Sequence, residues 1–248
     1  MNALPLPSFA KNYRALVFGS SGGIGAAIVQ ALAKDPHCAK VFAAARQTIP
    51  AAEKVHPLRF SLEDEASIAD CVAEATRSGP LDLVIVATGL LHDGAMKPEK
   101  SWRAIEAANF ERVFRINTTG PALIAKHTLD ALSRDSKSVF AVLSARVGSI
   151  EDNRLGGWHA YRASKAALNM LVKSFAIELT RRNPKAICAS LHPGTVDTAL
   201  SKPFQSGVTA QRLFSPDHSA ARLLATIDGL TAGDSGKLIA WDGAQIPY

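Results

Sequence analysis

Gly19-Ser20-Ser21-Gly22-Gly23-Ile24-Gly25 stands between a short apolar run at 14–18 and a helical pattern at 23–33 that Asp35-Pro36 closes. A strand, a glycine-rich turn and a helix in that order are the start of an open α/β sheet. Glycine lacks a Cβ, so the backbone can turn sharply there and lie close to a ligand. The helix that follows offers unpaired N–H groups and the positive end of its dipole to an anion such as a pyrophosphate. The spacing is G-x-x-x-G-x-G rather than the G-x-G-x-x-G dinucleotide fingerprint, so position after the first strand carries the nucleotide reading more than the string does.

Outward from this turn, apolar runs alternate with helical patterns to the end of the chain. Strands are expected at 40–45, 55–60, 81–87, 138–144, 186–192 and 237–240, and helices at 66–76, 102–132, 161–182 and 216–228, the second of them broken near Asn109. The run at 81–87 is apolar throughout, as a strand buried on both faces should be. Alternation of this kind implies right-handed crossovers and one Rossmann-type, doubly wound, mostly parallel sheet flanked by helices. Ligands of such sheets bind beyond the carboxyl ends of the strands, so the loops after strands are the ones to inspect.

The 248 residues fit a single domain spanning 1–248, with a substrate lid at about 195–214. Cys38, Cys71 and Cys188 are odd in number and far apart, which argues against a disulfide scaffold or a zinc site and fits a reducing, cytoplasmic setting; no metal is expected. No signal peptide is visible, and no apolar stretch reaches the ~18 residues that span a bilayer, so no membrane partner is expected. The net charge of +6 is spread out, with Arg181-Arg182 as the only adjacent pair of arginines. Without a basic stripe interleaved with aromatics no nucleic-acid partner is expected, and a mildly positive field suits an anionic cofactor as well.

Two local patterns carry chemistry. The second strand ends Ala43-Ala44-Ala45-Arg46. A carboxylate near this point would bind the ribose hydroxyls of NAD, whereas an arginine pairs with a 2′-phosphate, so NADP(H) is the expected cofactor. Ser20 and Ser21 are placed to donate to the same phosphate. Further on, Tyr161-Arg162-Ala163-Ser164-Lys165 puts a phenol and an amine at i and i+4 on one helical face. A nearby ammonium stabilises a phenolate and lowers its pKa, tuning the tyrosine for proton transfer near neutral pH.

Taken in order, the glycine loop, Asn117 in Ile116-Asn117-Thr118-Thr119-Gly120, a serine closing the fifth strand, Tyr161-x-x-x-Lys165 and His192-Pro193-Gly194 resemble the short-chain dehydrogenase/reductase family over nearly the whole chain. The segment 144–150 and the ending Trp241-Asp242-Gly243 resemble its C-factor and sniffer-like carbonyl reductase branch. The resemblance implies Tyr161 as general acid/base and Lys165 as the group that lowers its pKa and holds the nicotinamide ribose. It further implies Asn117 as a helix kink that holds a relay water, and a serine that polarises the substrate carbonyl. Cofactor contacts are implied for Gly19, Ser20, Ser21, Gly23, Ile24, Gly25, Arg46, Ser61, Leu62, Ala87, Thr88, Gly89, Asn117, Tyr161, Lys165, Pro193, Gly194 and Val196.

The family pattern is departed from in three places. The polarising serine usually stands three residues before the glycine matching Gly148, and that residue is Ala145. Ser144, one residue earlier, is the preferred substitute although strand alternation turns it to the other face, and Ser149 is the alternative. Val86-Ala87-Thr88-Gly89 replaces an Asn-Asn-Ala-Gly turn, and Ser61-Leu62 stands where an aspartate usually meets adenine.

Substrate walls are expected from 90–96, 146–158 and 195–213, around a small-molecule carbonyl; His159 is read as structural. The helix at 161–182 is apolar on more than one face, which predicts a homodimer or homotetramer. The leading reading is thus an NADPH-dependent carbonyl reductase. A nucleotide-binding signalling or regulatory protein with little turnover is the alternative. A methyltransferase would need an acid where Arg46 stands.

Overall fold

The computed structural model describes residues 6–47, 49–207 and 209–248; Val208, inside the expected lid, lies outside the described residues. The chain runs β1 (Tyr13–Phe18), α1 (Gly23–Lys34), β2 (Cys38–Ala45), β3 (Val55–Arg59), α2 (Glu65–Thr76), β4 (Leu83–Val86), α3 (Ala107–Phe114) and α4 (Gly120–Thr128). It continues through β5 (Ser138–Leu143), α5 (His159–Arg182), β6 (Ala186–His192), β7 (Thr195–Val196), β8 (Leu213–Phe214), α6 (Pro216–Gly229), β9 (Leu238–Ala240) and β10 (Gln245–Ile246). The main sheet has the order β3-β2-β1-β4-β5-β6-β9-β10, parallel except for β10 against β9, while β7 and β8 form a separate pair.

Alternation along the strands builds two cores, one on each face. Ala15 and Val17 of β1 pack with Ile28, Leu32, Leu223 and Ile227 from α1 and α6. Leu16 and Phe18 turn the other way, onto Ile68, Ile124, Leu168 and Val172 from α2, α4 and α5. All four residues of β4 are buried, which is why its sequence is unbroken apolar. β1 pairs with β2 on one side and β4 on the other, and its next crossover goes the opposite way. The crevice therefore opens at the carboxyl ends of β1 and β4, where Gly19 and Ala87 lie.

The helical pattern at 102–132 is interrupted three residues before Asn109. Ile105 and Glu106 are extended, α3 begins at Ala107, and Asn109 sits in its first turn with its amide on Glu106 Oε2 at 3.1 Å. A second irregularity comes later, as a π-helical turn over Arg115–Thr119 that joins α3 to α4 and contains Asn117. The two-residue strands β7, β8 and β10 were not expected, because two residues carry no period. No helix among the described residues is long and apolar enough to cross a membrane. The three cysteines are buried and unpaired.

Candidate active site

The glycine loop is closed by its own backbone. Gly19 takes a φ of +84°, and Gly19 and Ser20 donate to Ala44 O at 2.9 and 3.1 Å while Gly22 donates back to Gly19 O at 3.0 Å. A Cβ at Gly25 would stand 2.2 Å from Gly19 O, so only glycine lets α1 start this close to the turn. Gly22 caps α1 without any side-chain hydrogen bond, leaving first-turn N–H groups open to an anion. Ser20 is buried with a hydroxyl that is unpartnered among the described residues; Ser21 is exposed, and Ile24 is half-buried against the α1 core. Gly23 faces the expected lid, where its Cβ would meet Thr198 Cγ2 at 2.8 Å.

Arg46 is exposed immediately past the end of β2, next to the Ala44 carbonyl that holds the loop. The hydroxyl of Ser61 accepts from Glu63 N at 3.2 Å and helps shape the turn into α2, and Leu62 presses on Gly120, where a Cβ would lie 2.8 Å away. At the end of β4, Ala87 N donates to Phe18 O at 2.8 Å. Thr88 Oγ1 is buried and, among the described residues, unpartnered. Gly89 sits where a Cβ would come 3.8 Å from Asn117 Oδ1 and 4.0 Å from Lys165 Nζ.

Asn117 is fully buried, and its amide grips the backbone of Leu90 in both directions at 2.8 Å. Its second hydrogen goes to Ser164 Oγ at 3.1 Å, and Thr118 Oγ1 donates to Ser164 O at 2.9 Å. The π turn is thereby clipped to the loop after β4 and to α5. Both amide hydrogens are spent, so the side chain keeps no donor for a relay water.

Tyr161 and Lys165 lie one turn apart on the buried face of α5. Lys165 Nζ donates to Leu143 O at 2.9 Å and stands 5.9 Å from the Tyr161 ring centre. Burial pushes the Tyr161 phenol up to about 12 and the Lys165 ammonium down to about 8. The ammonium was expected to lower the phenol. Loss of hydration disfavours both charged forms and outweighs their attraction at this separation.

The preferred serine is turned away. Val142 packs on the α5 face and Leu143 on the α1 face, so Ser144 points back to α5, where its buried hydroxyl donates to Asn169 Oδ1 at 2.8 Å. Asn169 is two helical turns beyond Tyr161, ~12 Å along the axis at 1.5 Å per residue, so the Ser144 hydroxyl is bonded away from the first turn of α5 that carries the phenol. Ser149 is buried, and its oxygen accepts from Asp152 N at 3.0 Å, which leaves the hydroxyl proton available. The preceding Gly148 packs on α5, where its Cβ would lie 2.7 Å from Lys165 Cβ.

After β6, Pro193 O accepts from Ser219 Oγ at 3.0 Å, Gly194 has a φ of +79° against the Phe214 ring, and Val196 is buried in β7. Leu200 approaches Gly89, and Phe204 packs edge-on against Trp158 at 5.1 Å and His92 at 5.6 Å between ring centres. Trp158 in turn meets Tyr161 edge-on at 6.3 Å. The segment expected as a lid thus already touches the glycine loop, Gly89 and an aromatic wall beside the phenol. His159, expected as structural, carries a buried Nε2 that lacks a partner among the described residues.

A site contributor that sequence reasoning missed is Glu99. It is buried, reaches the start of α5, and lies in no periodic pattern that could have marked it.

A family model described as short chain dehydrogenase matches residues 13–208. The C-signal protein of Myxococcus xanthus is 33% identical over 174 residues, covering 69% of this chain and 95% of that protein. Among solved structures, the NADPH-bound carbonyl reductase from chicken fatty liver superposes with a TM-score of 0.83 at 24% identity, over 97% of this chain and 96% of that one. Carbonyl reductase Sniffer of D. melanogaster gives 0.81 at 23% identity, over 96% and 100%.

Proposed function

The chain belongs to the short-chain dehydrogenase family of nicotinamide-dependent oxidoreductases, and from that premise we propose that it is an NADPH-dependent carbonyl reductase. The observation that carries this reading is the buried Tyr161–Lys165 pair on α5, with Lys165 Nζ beside Gly89 at the crevice of β1 and β4 and the Tyr161 ring beside Trp158. The crevice fits a dinucleotide on its own features: an uncapped helix start, close-packed glycines and two orphaned buried hydroxyls, Ser20 Oγ and Thr88 Oγ1. Gly19, Ser20, Gly23 and Gly25 would hold the pyrophosphate, Arg46 a 2′-phosphate, and Thr88, Lys165, Pro193, Gly194 and Val196 the nicotinamide half. When bound, the nicotinamide supplies the hydride. The chain's own part is to donate a proton from Tyr161 to the carbonyl oxygen, to hold positive charge beside the phenol at Lys165, and to donate a hydrogen bond from Ser149.

Loss of NADPH absorbance with a panel of small aldehydes and diketones tests the proposal; a protein that binds NADPH but consumes none with any carbonyl would refute it. That outcome favours the second reading, a C-factor-like signalling or regulatory protein, which draws on Ala145 at the polarising position and on Ser144 bonded to Asn169. Arg46 gives a sharper test of the cofactor. Removing a charge-assisted hydrogen bond to the phosphate and placing a like charge beside it cost about 3 kcal/mol together, on the order of 100-fold in affinity. The Arg46→Asp variant should therefore weaken NADPH by that factor in a fluorescence titration while NADH changes little. An unaltered NADPH-to-NADH ratio would remove the 2′-phosphate assignment.

We place a second copy of the chain on α5, where Met170 and Ile177 are exposed beside Ala163, Ala166 and Ala167. Light scattering should report a homodimer or homotetramer, and Met170→Glu should shift it toward the monomer; a wild-type monomer at micromolar concentration rules this out.

A further inference from the structure

Three carboxylates are buried among the described residues: Asp35, Asp82 and Glu99. Asp35 binds Leu6 N, Tyr13 Oη and His37 N, and Asp82 binds Arg14 N, both at the amino edge of the sheet. Glu99 is on the opposite side, at the crevice, and the reaction scheme gives it no work. Its main-chain oxygen accepts from Trp158 N at 2.6 Å, and its carboxylate Oε2 accepts from Ala160 N at 3.2 Å.

Both donors belong to the entry of α5. Trp158 is the N-cap of that helix, makes no side-chain capping bond, and holds a φ of +50°. Tryptophan has no intrinsic preference for the left-handed region, so the surroundings must impose it. Glu99 reaches in from 61 positions away in sequence and satisfies an N–H on either side of His159. Arg162 braces the same turn from the other side, donating to the carbonyls of Gly156, Gly157 and Val147. Tyr161 lies in the first turn so fixed, its ring edge-on to the Trp158 indole.

We propose that Glu99 is a positioning residue for Tyr161: its carboxylate, accepting from Ala160 N beside the main-chain bond from Trp158 N, sets the first turn of α5 and hence where the phenol hydroxyl stands relative to the substrate carbonyl. The proposal rests on Tyr161 being the general acid. Misplacing a reacting group by ~1 Å can cost on the order of 100-fold in rate. A plain structural cap would cost stability and leave the rate per folded molecule alone.

The experiment uses NADPH with 2,3-butanedione and 4-nitrobenzaldehyde as probes, on wild type, Glu99→Ala, Glu99→Gln and Glu99→Asp. Glu99→Ala should lose on the order of 30- to 100-fold in kcat with NADPH affinity within about twofold of wild type. Glu99→Gln retains an oxygen acceptor and should stay within about threefold, whereas Glu99→Asp, shorter by one methylene, should fall about tenfold. Wild-type kcat in Glu99→Ala, or equal losses in the Ala and Gln variants, would overturn the proposal. If the Ala variant does not fold, Glu99→Asp decides by the same rule. If the wild type reduces neither these probes nor any other carbonyl of the panel, the reductase reading has failed separately. Trp158 emission, obtained by difference against Trp158→Phe, then judges Glu99: a red shift in Glu99→Ala supports the grip on the α5 entry, and an unmoved spectrum overturns it.

Discussion

The Tyr161→Phe variant is expected to bind NADPH as wild type does and to reduce carbonyls at least ~10³-fold more slowly. The substitution removes one oxygen and keeps the ring, so the edge-on contact with Trp158 and the packing of α5 survive. On the proposed mechanism, what disappears is the proton donor. The phenol, held near 12 by burial, stays protonated across the working range, which suits it to give a proton to a developing alkoxide and makes reduction the easier direction. Lys165 sets the alkaline limit. Its ammonium is brought down to about 8, so it is charged below that pH and neutral above it. Reduction should be flat on the acid side and decline through about pH 8, approaching about a tenfold loss per unit, as the charge beside the nascent phenolate disappears. Oxidation of an alcohol, which needs the phenolate, should keep rising with pH. Ser149→Ala should fall between, by about 10²-fold, and Ser144→Ala should cost stability rather than rate. A Tyr161→Phe enzyme within tenfold of wild type, with NADPH binding intact, would take the phenol out of the reaction.

Much of this site can be read from the sequence because its residues are tied to regular elements. The i, i+4 pair on α5 needs only helical periodicity, and Gly19 to Gly25 need only a strand before them and a helix after. The alternation that separates Ala15 and Val17 from Leu16 and Phe18 likewise places both cores. Legibility ends where geometry departs from a period or depends on a distant segment. Parity along β5 already warned that Ser144 would face the wrong way, and the chain end does not bend enough to reverse it. The direction of the Tyr161 shift depends on burial against charge, and no spacing states which wins. Glu99 meets α5 from across the fold, and nothing in the run around Lys97-Pro98 signals its partner.

Asn117 shows the same limit and yields the second large expected effect. An asparagine in an apolar helical stretch signals a disturbance, but the break expected near Asn109 is the extended Ile105-Glu106 before α3, and the π turn at Asn117 is a second irregularity that the sequence did not separate from it. The actual π turn puts the Asn117 amide where it replaces a strand partner for Leu90, beyond the end of β4. Asn117→Ala removes both Leu90 bonds and the bond to Ser164, and strands a main-chain donor and acceptor in partly buried surroundings. At about 1–3 kcal/mol for each unsatisfied group the two together cost about 2–6 kcal/mol. For a chain of this size that lowers Tm by roughly 5–20 °C. The rate should suffer as well, by on the order of 10- to 100-fold, because Gly89, beside Lys165 Nζ, belongs to the loop that Asn117 holds. Asn117→Asp keeps an acceptor for Leu90 N but turns a second acceptor onto Leu90 O and buries a charge, so its Tm should fall at least as far as that of the alanine variant. Thermal unfolding together with NADPH-linked turnover measures both. An alanine variant that melts within 2 °C of wild type would mean that Leu90 finds other partners and that the π turn does not depend on the amide.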